Sequence, residues 1–500
     1  MHIIHADCEK TIVFSAKIIY LCLRIETLAS ELNIKNRKIM KRLFVLAIAL
    51  GAFWVAGAEV KEGGIDAKML AKIREGYTAE PSQKAIKNAL ASTSIAVLAT
   101  NGDNLAMCDT HFSHKVRTRG ITDQKSSGRC WLFTGLNVLR AKMIDKYELS
   151  GMEFSQNYCS FYDLLEKSNL FLQAIIDTRS LAFEDRKVDW LLRNPIGDGG
   201  QFTGVSNLVM KYGLVPKEVM PETYQSDNTR NMRMILSLKL REYALALRAA
   251  KSDKAAAALK VEQLTEIYRI LVECLGVPPT EFEWTLRNRR GEVVSTEKYT
   301  PKSFYDKFIG ENLEENYIMI MNDPAREYGK VYEIEYDRHV YDGENWLYIN
   351  LSIERIKEMA IASIKDNTAM YFSCDVGKFF NRSNGTLDLA NYDYESLFRT
   401  KFPMSKRERV MTYASGSSHA MTLIAVDLDE KGAPRKWMVE NSWGAKSGYK
   451  GNLIMTDEWF NEYMFRLVVE RKYVPQDVLD MLKQKPVVLP PWDPMFVPEE

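Results

Sequence analysis

Apolar residues keep time with a helix in some stretches of this chain and with a strand in others. In residues 130–147, CWLFTGLNVLRAKMIDKY, Leu132, Leu136, Leu139 and Met143 recur every three to four positions, which predicts a helix. Gly128, just before it, suits a turn or a helix start. Residues 153–173, EFSQNYCSFYDLLEKSNLFLQ, predict a second helix. Residues 194–204, NPIGDGGQFTG, are glycine-rich and read as a loop. Residues 226–275 change character: they are rich in Ala, Leu, Lys, Arg and Glu, and no glycine comes until Gly276 and no proline until Pro278. That predicts an inserted helical subdomain. The stretch 280–350, rich in Tyr, Glu and Asp, reads as strands and loops, and another helix follows Ser352 to about Asp366. Residues 418–428, SHAMTLIAVDL, are apolar enough for a buried strand; 436–439 and 451–455 add two more, and a helical turn starts at Asp457. Residues 59–120 form a lead-in of mixed helix and extended structure. Helices, then an insertion, then strands imply an α+β layout with the site between two halves.

The N-terminal pattern differs in kind. Lys41 and Arg42 precede an apolar run at 43–55, and Ala56-Gly57-Ala58 follows as a small-x-small site. That is the layout of a secretory signal peptide at 40–58, with residues 1–39 an upstream extension outside the mature protein and Met40 the expected start. The run is shorter than the roughly 20 residues of a membrane span, and no cysteine near the cleavage site supports a lipid anchor. The competing reading is a buried core helix. Export to the periplasm or medium is expected, or a cytoplasmic protein if the signal is not used.

Composition then narrows the class. Apolar residues at 46% and charged residues at 27% describe an ordinary globular chain. The first 58 residues carry 8 of the 67 basic and 4 of the 66 acidic residues, leaving 59 against 62, a net of −3. Such a chain has no electrostatic pull toward nucleic acid or anionic membrane. Five cysteines remain after Ala58: Cys108, Cys130, Cys159, Cys274 and Cys374. An odd number at wide spacings, with no CxxC and no Cys/His cluster, gives neither a disulfide framework nor a metal site; no cofactor is expected.

One thiol stands out. Cys130 opens a predicted helix, where the helix dipole and free N–H groups favour a thiolate. Four histidines follow Ala58: His111, His114, His339 and His419. His111 and His114 are expected to be structural, and His339, in the charged stretch EYDRHVYD, to be exposed. Only His419 heads an apolar strand with an amide downstream, Asn441, able to fix an imidazole tautomer. Cys130, His419 and Asn441 are therefore the expected nucleophile, base and orienting residue.

The blocks around these residues carry a resemblance. Gln124-Lys125-Ser126-Ser127-Gly128-Arg129-Cys130-Trp131, Asp198-Gly199-Gly200-Gln201, Ser418-His419-Ala420-Met421, Glu440-Asn441-Ser442-Trp443-Gly444 and Trp492-Asp493-Pro494-Met495 occur in the order seen in the bleomycin hydrolase and aminopeptidase C branch of the papain-like cysteine peptidases. The resemblance covers roughly residues 100–495. It implies a two-lobed α+β fold, a helical lobe (59–225, with the lead-in) facing a β-barrel-like lobe (351–488), with an inserted helical and hook-like region (226–350) and a tail (489–500) in the active-site cleft. It implies Gln124 as an oxyanion donor, Trp131 and Trp443 as supporting residues, and Asp198, Gly199 and Gly200 as a substrate-binding loop. It also implies a homohexamer acting on peptides as an aminopeptidase through a thioester acyl-enzyme. The tail departs from the usual small residues: Phe496-Val497-Pro498-Glu499-Glu500 is bulkier and more acidic. Glu500 and its neighbour can grip a substrate ammonium, or displace the tail and open the cleft to endopeptidase action. A non-catalytic binding protein on the same scaffold is the alternative of another class. With 71 residues between Glu59 and Cys130, activity without zymogen processing is expected.

Overall fold

The structure, a computed structural model, describes residues 62–77, 80–104 and 109–495. The signal-like stretch 40–58, the extension before it, Cys108 and Glu500 lie outside the described residues. The chain divides into two compact units between Ser92 and Thr93. In the first, helix α1 (Ala67–Glu75) starts where Asp66 accepts the Met69 N–H at 2.7 Å. Helix α2 (Pro81–Leu90) starts at a capping box of Glu80 and Gln83, with proline at its first position.

The second unit carries the site. Helix α3 (Cys130–Lys146) is buried on nearly every side, from Cys130 to Ile144, as an apolar helix at the centre of a large protein must be. Helix α4 (Gln156–Asp177) is capped by the Ser155 hydroxyl, and α5 (Phe202–Tyr212) begins inside the glycine-rich stretch read as a loop. The expected helical insertion is two helices, α6 (Arg230–Arg248) and α7 (Asp253–Leu275), which pack on α4. They are separated where the Ser252 hydroxyl caps α7 by accepting the Ala255 N–H. The hook-like region holds a separate hairpin, β1 (Phe282–Arg287) with β2 (Val293–Tyr299).

A 12-stranded sheet makes the other half. Its centre runs β3 (Tyr317–Met321), β8 (Met464–Glu470), β4 (Met370–Cys374), β5 (His419–Leu428), β6 (Pro434–Glu440) and β7 (Asn452–Thr456), all antiparallel. Beyond β3 lie Leu347–Asn350, Val331–Ile334 and Val487–Leu489; beyond β7 lie Thr386–Leu387 and Phe380–Asn381. Strands β4, β5 and β8 are buried almost throughout; α3 packs against β4 and β5, and α8 (Ile353–Lys365) against β5 and β8. His114 sits in a two-residue strand paired with β5, a structural place as expected. Among the described residues, no helix is long and apolar enough to cross a membrane.

Candidate active site

The segment leading into Cys130 is tied down atom by atom. Lys125 takes a left-handed backbone, φ +53°, rare for a residue with a Cβ; Asp123 holds it by accepting the Lys125 N–H at 3.0 Å and Nζ at 2.6 Å. The Ser126 N–H donates to the Asp227 carbonyl at 2.9 Å and the Gly128 N–H to Asp198 Oδ2 at 3.0 Å. Arg129, buried, pairs with Glu222 at 2.9 Å. Cys130 follows as the first residue of α3, fully buried.

Gln124 shares this segment with the strand side. Its N–H donates to the Ser442 carbonyl at 2.8 Å, and its Oε1 accepts the Ser442 hydroxyl at 2.5 Å. One Nε2 hydrogen goes to the Ser127 carbonyl at 2.7 Å; an amide nitrogen has a second to give. Asp123 pairs with Trp443 in a β-bridge. The residues before Cys130 therefore run beside those that flank Asn441.

His419 opens β5, and β5 packs against α3. Thr422 lies opposite Glu440 in the β5–β6 register, so the chain leaving β6 continues toward His419. Asn441 Oδ1 stands 2.8 Å from His419 Nε2 and also accepts the Ser442 N–H at 2.8 Å. An amide oxygen only accepts, so Nε2 carries a proton and Nδ1 is the other nitrogen of the ring. Trp443 stacks on the imidazole, centroids 4.7 Å apart at 29°, and keeps water from that bond. Arg140 of α3 and Glu440, the residue before Asn441, form a buried ion pair at 2.6 Å, which fastens the cysteine helix to the asparagine strand.

The glycine-rich loop lies on the other side. Trp131 Nε1 donates to the Asp198 carbonyl at 2.6 Å. The Asp198 carboxylate is buried and fully engaged, by the Gly128 N–H, the Thr229 hydroxyl and Arg233 at 3.3 Å. Gly199 and Gly200 line a cavity of about 750 Å³ that reaches Ser418, the neighbour of His419. The tail is docked as far as the structure describes it. Arg186 lies 4.3 Å over the Trp492 ring, Arg326 pairs with Asp493, and Arg466 donates to the buried Met495 carbonyl at 2.7 Å. The Pro494 carbonyl lies against Gly416, three residues before His419.

One expectation fails. His339 is not exposed but buried, with Nδ1 2.6 Å from Asp163 Oδ1. Its charged neighbours along the chain hid this, because the partner that buries it lies on α4, 176 residues away. Asp163 also binds Lys167 at 2.7 Å, one turn on. Burial alone would raise the Asp163 carboxyl, but Lys167 and His339 outweigh it and hold it below its ordinary value. Burial, then Lys167, push the His339 imidazole below its ordinary value, against the pull of Asp163. Cys159, Cys274 and Cys374 are in no disulfide; Cys159 is core, and burial pushes its pKa up, away from reactivity. Among the described residues no group of three or more His, Cys, Asp or Glu is placed to hold a metal.

Comparison with known proteins gives one answer. Residues 64–496 match the Peptidase C1-like family. Human bleomycin hydrolase is 39% identical over 451 residues, covering 87% of this chain and 99% of its own. Aminopeptidase C of Lactobacillus delbrueckii subsp. lactis is 38% identical over 425 residues, covering 83% and 94%. The crystal structure of PepW from Lactobacillus rhamnosis HN001 superposes with a TM-score of 0.83 at 38% identity, over 87% of this chain and 99% of that one.

Proposed function

Because the chain belongs to the Peptidase C1-like family and is a cysteine peptidase, we propose that it removes N-terminal residues from peptides, with Cys130 as nucleophile, His419 as acid and base, Asn441 as orienting residue and Gln124 as oxyanion donor. The observation that carries this reading is the His419 Nε2–Asn441 hydrogen bond of 2.8 Å under Trp443. It commits Nε2 to Asn441, so Nδ1 is the ring nitrogen that serves the thiol.

The reaction runs in two halves. Cys130 Sγ, as thiolate, bonds to the scissile carbonyl carbon. The oxygen takes the negative charge and is held by the free Nε2 hydrogen of Gln124 and the Cys130 N–H. His419 Nδ1 gives its proton to the leaving amine, the C–N bond breaks, and a thioester remains. Water then loses a proton to Nδ1 and attacks the thioester; the acid leaves and the thiolate–imidazolium pair returns. Gly199 and Gly200 pair with the substrate backbone, which a side chain there would obstruct. Asp198 acts as a brace for this loop. The docking of residues 492–495 beside Gly416 supports a cleft closed on one side, with Glu499 and Glu500 meeting the substrate ammonium. Export through the 40–58 signal and assembly as a hexamer belong to the same reading.

The test compares a peptide with a free N-terminus and its N-acetylated form. An aminopeptidase releases one residue at a time from the first and leaves the second intact. Comparable rates on both establish an endopeptidase instead.

A further inference from the structure

Gly200 and Gly204 face the same ring. A Cβ on Gly200 would stand 2.3 Å from His339 Cε1 and 2.7 Å from Nε2; one on Gly204 would stand 2.4 Å from Cε1 and 2.5 Å from Nδ1. The imidazole fills the room that two absent side chains leave. It meets Trp131 edge-on, centroids 4.6 Å apart, and Trp131 follows the nucleophile directly. Lys167, held by Asp163, donates to the Gly197 carbonyl at 3.1 Å and the Gly199 carbonyl at 2.8 Å. Three successive carbonyls, of residues 197, 198 and 199, are thus bound by Lys167, Trp131 and Lys167 again. A loop rich in glycine has many conformations to lose; here these three carbonyl contacts and the His339 ring hold it.

We propose that His339, seated on Asp163 and Lys167, is a positioning residue that sets the height of the Gly199–Gly200 segment relative to Cys130, so that a substrate backbone paired with that segment presents its carbonyl to the thiolate. This rests on the reading of Gly199–Gly200 as the peptide-pairing segment. It gives the hook-like region a task in the site, since His339 comes from that region while Asp163 and Lys167 come from α4. Misplacing a bound substrate by about 1 Å costs on the order of 10²-fold in rate, so the effect is large enough to measure.

Two reagents separate positioning from nucleophilicity. Iodoacetamide alkylates a thiolate without needing the peptide-pairing segment; a peptidyl chloromethyl ketone needs it. His339→Ala is expected to slow inactivation by the ketone at least about tenfold and to raise KM for peptides, while the iodoacetamide rate stays within about twofold. His339→Asn, whose Nδ2 still donates to Asp163, restores most of the ketone rate. Gly204→Ala reproduces the defect, and the Gly204→Ala/His339→Ala double variant is no worse than His339→Ala alone, because the clash has gone. Equal slowing with both reagents, or none with either, overturns the assignment. A wild-type protein that hydrolyses no peptide, in which His339→Ala still slows the ketone selectively, removes the aminopeptidase reading and leaves the positioning network standing.

Discussion

In the proposed mechanism Gln124 enters the reaction with most of its bonding already spent. Its carbonyl oxygen is held by Ser442, its backbone N–H by the Ser442 carbonyl, and one of its two amide hydrogens by Ser127. The remaining hydrogen points from a fixed frame, so stabilising an oxyanion costs no rearrangement. Gln124→Ala is expected to lower kcat by roughly 10²–10³ with KM little changed, read from steady-state kinetics on a free peptide; a change confined to KM contradicts the role. At this scale the sequence was informative wherever chemistry is local. Cys130 at a helix start and His419 on a strand with an amide downstream are legible as residue types in context. His339 is not, because what makes it matter is the space left by Gly200 and Gly204 and a carboxylate from another helix. The Asp163–Lys167 pair at i and i+4 was the one readable trace of that cluster.

Three elements, α3, β5 and β6, bring the site together, and the Arg140–Glu440 pair joins the first to the last. Both side chains are buried, at 3% and 1% exposure. Removing one partner leaves the other charge buried and alone, which costs about 3–5 kcal/mol. Glu440→Ala is therefore expected to lower the unfolding free energy by about that much in urea titrations, and to lower kcat as well, because Asn441 is the next residue. Stability within about 0.5 kcal/mol of wild type would show that the pair is no fastener. Helix α3 was legible from apolar spacing, α6 and α7 as one helical stretch from composition and the absence of glycine and proline, and β5, β6 and β7 as apolar runs. Strands β4 and β8 were not singled out: buried on both faces, they have no alternation to read. Helix Pro301–Phe308 lies in a stretch read as strands and loops, although Thr300 and Ser303 form a capping box with proline at N1, a signal present in the sequence.

At the scale of the whole molecule, the proposed selectivity for free N-termini rests on the tail. The tail from Trp492 to Met495 is anchored by Arg186, Arg326 and Arg466, three cations from separate parts of the chain. In the proposed reading, residues 496–500, which follow this anchor in the chain, meet the substrate N-terminus. Removing them leaves every described tail contact in place. The truncated protein is expected to bind free-amino peptides about 10–100-fold more weakly, the worth of a hydrogen bond to a charged group, and to gain activity on N-acetylated peptides. Unchanged selectivity would place the determinant elsewhere. Fold and family were legible at this scale because five motif blocks kept their order from residue 124 to residue 495.

The central claim is that peptide-bond cleavage passes through a thioester on Cys130. It is tested most directly by quenching the protein in acid during turnover of an aminoacyl ester and mapping the acyl mass by peptide mass spectrometry. The account predicts the increment on the peptide containing Cys130, and neither increment nor hydrolysis with Cys130→Ser. An increment on another residue, or hydrolysis undiminished in Cys130→Ser, would contradict it.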